Sequence, residues 1–173
     1  FRSYQLNSLL AAPPLTPSSA TFTSGIWTGN ISVAQIVPNI KLRAVDAAGQ
    51  SGDSTAIIVG GTLTLTLPST LTEGAAASTG TISLDAPTAT ALTVNLSATN
   101  ASYLTLPASI VIPAGQSSAT FPIANPNDSR IDLTPQNSTI TATAANCTAG
   151  TSSVSFIDNE SRAITVSMAS STI

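Results

Sequence analysis

The sequence predicts an all-β protein built from two β-sandwich units in tandem, the first of them incomplete. Three observations carry that expectation. Ser and Thr supply 51 of the 173 residues, and β-branched side chains favour the pleated, half-buried surface of a strand over a helix. Apolar and polar residues alternate with period two in one short run after another, as in 62–67 (TLTLTL) and 92–97 (LTVNLS). Clusters of Gly, Pro, Asn and Asp punctuate these runs at the spacing of sandwich strands.

In chain order, residues 3–10 read as a strand and 11–19 (AAPPLTPSS) as a proline-broken connection. Thr21, Phe22 and Thr23 lead into the turn residues Ser24 and Gly25. Residues 26–35 then resume with Ile31 and Val33 on one face, which predicts a hairpin. Residues 40–46 alternate Ile40, Leu42 and Ala44 against Lys41, Arg43 and Val45; 47–53 turn the chain, and 54–59 close the set. Four or five strands fall short of the seven of a complete sandwich, so 1–60 is expected to form a partial one. Gly60 and Gly61 mark the boundary as a flexible joint.

Residues 61–160 read as the complete unit. Strands are expected at 62–67, 80–84 and 90–97, where Leu92, Val94 and Leu96 point inward together. Residues 104–123 read as two strands thrown back on each other by the turn Pro113, Ala114, Gly115 and Gln116. Ile110 and Ile112 alternate on the first, and Ala119, Phe121 and Ile123 on the second. A polar loop at 125–135 and strands at 138–145 and 153–157 follow. The extension 161–173 is a candidate donor strand: Ile164, Val166 and Met168 share one face of 163–170 with no partner in the unit before it.

Composition narrows the function classes. Five Lys and Arg form no basic stripe, against the phosphates of nucleic acid or anionic membranes. No apolar run approaches the roughly 18 residues of a membrane span. Solubility rests on Ser, Thr, Asn and Gln, with charged residues at 8%, a balance expected of an extracellular or cell-surface protein. The chain opens on Phe1 without a charged-then-apolar leader, which predicts a processed chain or a piece of a longer one. Cys147, the single cysteine, is expected to be a buried small hydrophobe, with an intermolecular thiol as the alternative.

No histidine is present, so Ser-His-Asp and Cys-His nucleophile arrangements are excluded. Asp128/Asp132 and Asp158/Glu160 are neighbouring acid pairs, yet no aromatic sugar platform accompanies either, and Trp27 reads as hairpin packing. No Gly-rich phosphate loop opens a helix. The chain is therefore expected not to be an enzyme and to carry no catalytic residues or cofactor. Seven Asn-x-Ser/Thr sequons, at Asn30, Asn95, Asn100, Asn127, Asn137, Asn146 and Asn159, read as strand patterning in a Ser/Thr-rich chain rather than as glycan sites.

Two resemblances add to this reading. The run FTSGIWTGNISV…IKLRAVDAAGQSGDSTAIIV, over about 20–59, resembles the C-terminal half of an immunoglobulin-like repeat of large bacterial surface proteins. It implies that the opening strands of that repeat are missing here. Over about 62–160, the order strand, Glu-Gly, strand, LTVNLS, IPAGQSSATFPI, an acidic/Asn loop, STITATA and SVSFIDNE resembles a Calx-β domain, a seven-stranded immunoglobulin-like sandwich. Some members of that family bind Ca²⁺ at one end. The positions matching their ligands are Glu73; Asn125, Asn127 and Asp128; and Asp158, Asn159 and Glu160. Asn stands here where Ca²⁺-binding members carry runs of Asp, so a solvated polar loop end is expected, with a weak Ca²⁺ site as the alternative.

A unit short of strands and a strand without a partner are both aggregation liabilities unless they meet. Residues 163–171 are thus expected to complete the first unit of a neighbouring copy or an adjacent repeat by strand addition. Used head to tail, that contact does not close and gives a fibre. The competing reading is a surface adhesin or binding module for a glycan or protein ligand; a weaker one is an accessory domain of a secreted enzyme.

Overall fold

A computed structural model describes residues 2–8, 14–132, 134 and 136–160, and every described element is a strand except one 3₁₀ turn, Ala101–Tyr103. In the C-terminal region a pair of sheets face each other. One is ordered β10 (Thr70–Thr72), β17 (Gly150–Ile157), β15 (Gln136–Thr143), β12 (Leu92–Ala98), β13 (Ser109–Ile112). The other is ordered β14 (Ser118–Ile123), β11 (Ser78–Leu84), β9 (Gly61–Thr66), β16 (Cys147–Thr148). Leu63, Leu65, Ile82, Leu84, Phe121 and Ile123 from the second sheet meet Leu71, Val94, Leu96, Ile112, Ile140, Val154 and Phe156 from the first in one buried cluster. This is the all-β, sandwich-like layering that the alternating runs predict. The period-two side chains of each strand put one face on the core and the other in water.

The stretch 104–123 departs from expectation. Its turn is present, with the Gln116 amide donating to the Pro113 carbonyl at 3.1 Å and Gly115 at a φ of 78°. The strands on either side, however, do not pair with each other. β13 pairs with β12 and β14 with β11, so the connection is an arch from one sheet to the other. The inward residues Ile112, Phe121 and Ile123 are buried as their alternation requires; a hairpin and an arch demand the same alternation, and only the partner strands distinguish them.

The N-terminal region is thinner. β3 (Ser19–Phe22), β1 (Arg2–Ser8), β6 (Leu42–Asp46) and β7 (Ser51–Asp53) form one sheet in that order. β5 (Val37–Ile40) pairs with β8 (Ile57–Val59), and β2 (Leu15–Thr16) with β4 (Ser32–Val33). The run 40–46 is thus broken at Lys41, where the chain passes from the β5–β8 pair to the larger sheet, and 51–59 is divided in the same way between β7 and β8. Ser54 fixes that division by accepting the Leu42 amide on its hydroxyl at 3.0 Å. The hairpin at Ser24 and Gly25 is real but only a bridge long, Thr23 and Ile26 exchanging amide bonds of 2.9 and 3.0 Å. Trp27 packs on it at 6.5 Å from Phe22. Asp46 is buried and accepts the amides of Ala48 and Gln50, which closes the β6–β7 turn.

Gly60 and Gly61 act through close packing rather than as a loose joint. Gly61 is buried at the start of β9, and a Cβ there would overlap Ile36 Cδ1. Ile36 belongs to the C-terminal core. Its backbone is held as well: its amide donates to Pro87 and its carbonyl accepts from Ala89, at 2.9 and 3.0 Å. Cys147 is half-buried against the same core. Residues 161–173, with Ile164, Val166 and Met168, lie outside the described residues.

Two substitutions separate core from surface. Ile140→Ala, at a fully buried position, is expected to lower unfolding stability by about 2–5 kcal/mol. Val111→Ala, on the outer face of β13, is expected to change it by no more than about 0.5 kcal/mol in the same urea titration.

Candidate functional site

Three chain segments meet at the pole of the C-terminal sandwich away from Gly61. β10 and β17 run parallel with Thr72 opposite Ile157, so the residues that follow them, Glu73 and Asp158, leave the sheet side by side. The Glu73 amide donates to the Ile157 carbonyl at 2.9 Å. A parallel bridge joins Glu73 to Asn125, and the Gly74 amide donates to the Asn125 carbonyl at 3.1 Å, drawing in the end of β14. Gly74 has a φ of 66°, and a Cβ there would collide with the Asn127 side chain, so glycine is required on both counts.

Carboxylate oxygens of Glu73, Asp158 and Glu160 lie within 4.8 Å of one another. Two oxygens on opposite sides of a Ca²⁺, each at about 2.4 Å, are separated by about 4.8 Å, so the three fit around one such ion. Hard oxygen donors without nitrogen or sulfur suit Ca²⁺ rather than a transition metal. The surrounding bonds hold the carboxylates in place. The Asp128 amide donates to Glu73. The Asp132 amide donates to Asp158 Oδ2 at 2.7 Å, and the Glu160 amide to Asp158 Oδ1 at 3.1 Å. Asn159 Nδ2 donates to Asn127 Oδ1 at 2.8 Å and to the Glu73 carbonyl at 3.2 Å. Glu160 Oε2 is buried with no hydrogen-bond partner among the described residues.

Crowding of like charges shows in the proton affinities. Glu160 is pushed up to about 7, first by sharing its proton with Asp158, then by burial and the charge of Glu73. Asp158, receiving that hydrogen bond, is held below its ordinary value. Tyr103 stacks on Phe156 at 5.5 Å beside the cluster and donates to Asp132 at 3.4 Å. Burial, then the Asp132 charge, pushes its phenol up.

The structure gathers at this pole all seven residues matched through the Calx-β resemblance: Glu73, Asn125, Asn127, Asp128, Asp158, Asn159 and Glu160. A shallow cavity of about 340 Å³ opens beside them, lined in part by Glu73, Asp132, Phe156 and Asp158. Two further neighbours stand outside that matched set. Asp132, weighed from the sequence only as an acid pair with Asp128, is joined instead to Asp158; Tyr103, in a 3₁₀ turn, carries no sequence motif. Of the sequons, Asn127 and Asn159 are bonded into the pole, and Asn100 donates through its amide to the Asn137 carbonyl. The assembly residues Ile164, Val166 and Met168 are not among the described residues.

No family model and no curated protein matches the chain. Solved structures do match, among them the crystal structure of a beta-glycosidase from Bacteroides vulgatus, with a TM-score of 0.38 and 10% identity. That match covers 88% of this chain, which spans only 21% of the glycosidase. A likeness at that level carries no conclusion about activity.

The Glu160 proton sets a pH dependence. Between its ordinary 4.5 and about 7, the native state holds a proton that the unfolded chain has released, so stability falls as pH rises through that window. Asp158 acts oppositely at more acid pH, losing its contribution as pH falls through its lowered folded value. The melting temperature of the unmodified chain should therefore decline between about pH 5 and 7.5, and Glu160→Gln should flatten that decline in a calorimetric pH series.

Proposed function

We propose that this chain is a non-catalytic structural segment of an extracellular fibre or cell-surface array, built of two tandem immunoglobulin-like units and assembled head to tail by strand addition. The observation that carries the reading is the open N-terminal region. β6 lies between β1 and β7, yet Leu42, Ala44 and Val45 are only half-buried. In the C-terminal sandwich the inward residues of the corresponding inner strands, β12 and β15, are buried. A central strand whose apolar side chains are only half covered on both faces leaves a surface that another strand can complete. The donor is residues 163–171, with Ile164, Val166 and Met168 entering the open core. The partners are copies of the chain or adjacent repeats. The two sheets of 61–160, closed around one buried cluster, support the second unit as a rigid spacer in such an array. Deleting 161–173 should abolish concentration-dependent polymers in light scattering and negative-stain images while leaving a folded monomer. Undiminished polymers from the truncated chain would sink the proposal.

A second reading, a Ca²⁺-dependent binding module, is favoured by the clustering of Glu73, Asp158 and Glu160 and by the buried Glu160 Oε2, which has no hydrogen-bond partner among the described residues. A bound divalent cation would neutralise the pole and tie three segments together; Glu73, Asp158 and Glu160 would hold it. With three carboxylates, affinity in the range of extracellular modules, about 0.1–1 mM, is expected. At a Kd of 1 mM, 10 mM Ca²⁺ would add about 1.4 kcal/mol to stability. Titration calorimetry should register the binding and Glu160→Gln should weaken it; no heat and no shift in melting temperature would exclude the site.

A further inference from the structure

We infer that the donor segment adds to the β8 edge of a second copy and never to that of its own chain. This rests on the strand-addition reading above and names its acceptor.

The acceptor is legible in the exposed edge. Ile57 and Ile58 are 38% and 60% exposed, so consecutive side chains, which point to opposite faces, both lack cover. The segment STAIIV carries no charge, lysine or proline, the usual guards of a free edge. Its partner β5 does have such a guard: Pro38 supplies no amide for a further strand. The outer strand β13 is a weaker candidate, because Ile112 is buried and only Val111 of its apolar residues is well exposed. Among the described residues β8 pairs with β5 alone, and it therefore offers an unguarded backbone edge with apolar side chains on both faces.

Distance decides whose β8 is filled. Cys147 pairs with Gly61 at the pole next to β8, and a Cβ on Gly150 would overlap the Leu63 backbone close by. From there β17 runs away for eight residues to Ile157, about 23 Å at the strand rise. Only 158–162 separate β17 from the first donor residue, and Asp158 and Glu160 are held back at the far pole by their bonds to Asp132 and to each other. From Glu160 to Ala163 the chain spans at most about 11 Å. Ile164, Val166 and Met168 thus cannot all lie along their own β8, and the acceptor belongs to another molecule. Charge favours that arrangement. The donor leaves from a pole holding Glu73, Asp128, Asp132, Asp158 and Glu160, and beside the acceptor lies the exposed Lys41. Head-to-tail contact brings opposite charges together.

The test uses full-length chains carrying Cys147→Ser to remove the native thiol. One chain carries Ile58→Cys, the other Ile164→Cys, Val166→Cys or Met168→Cys. On mild oxidation a mixture should give a disulfide-linked pair containing one chain of each kind, and a chain carrying both substitutions should give a ladder of oligomers. Ile58→Asp should weaken polymerisation by roughly tenfold or more with the melting temperature unchanged, by placing a charge on the edge. A doubly substituted chain that closes on itself as a monomer overturns the inference. Polymers that form without any cross-link to the thiol introduced on β8, and that Ile58→Asp leaves intact, overturn it too, while leaving strand addition elsewhere standing. An absence of polymers in every chain, full-length included, overturns both this inference and the proposal on which it rests.

Discussion

The arch at residues 113–117 ties the molecule together. Because β13 joins one sheet and β14 the other, the two sheets share a covalent clasp, and neither can peel away without breaking a ladder next to it. The clasp is itself anchored. Gly115 donates its amide to Thr88 at 2.7 Å, Thr88 donates to Gln116 at 3.0 Å and Leu84 to Ser117 at 2.7 Å. Thr88 is fully buried and is bridged in turn to Ile36. One continuous set of backbone bonds therefore runs from the arch, through the loop after β11, to the segment that leads into β5. The thin N-terminal sheets are seated on the C-terminal core through this path.

Much of this was legible in the chain, for reasons that differ by element. Residues 62–67, 80–84 and 92–97 could be read because each buries one face, so burial writes a period-two pattern directly into the sequence. Short strands such as β10 and β16, at three and two residues, are too brief to show a period. They exist because a longer neighbour offers a parallel edge. The alternation at 104–123 predicts a hairpin where the structure has an arch, because side-chain alternation reports which face is covered and says nothing about which strand lies alongside. The break at Lys41 was hidden for a similar reason: Ile40, Leu42 and Ala44 alternate straight across it, although Ile40 ends β5 and Leu42 opens β6, and the Ser54 bond to Leu42 from twelve residues away accompanies the change of sheet. At the acidic pole the sequence resemblance picked out residues that do come together, but the placing of Glu73 beside Asp158 depends on the parallel register of β10 with β17.

Charge is unevenly placed. Before residue 61 the chain has three cations and two acids, while residues 61–160 carry six acids and Arg130 alone as a cation. Five of those acids are gathered at one pole, where the protein must tolerate mutual repulsion. It does so by donating backbone amides into the carboxylates and by retaining a proton on Glu160. In the N-terminal region the exposed pair of Arg43 with Asp53, at 2.7 Å, is of the surface kind that contributes little to stability. What that region does bury is Ala20, Val37, Ile40 and the Asp46 of the β6–β7 turn, and Ile36 anchors it through backbone bonds to Pro87 and Ala89.

The placement of β9 and β17 has a mechanical consequence. The chain enters the C-terminal sandwich at Gly61, at one pole and in one sheet, and leaves it after Ile157, at the opposite pole and in the other sheet. A pull on the two ends is then directed along the strands, and β9 and β17 are each bonded to a neighbour on both sides. Under such a load the interstrand bonds are sheared together instead of being unzipped one at a time. The sandwich is thereby strongest along its own long axis, and a chain of such units would resist stretching far better than it resists being pried apart from the side.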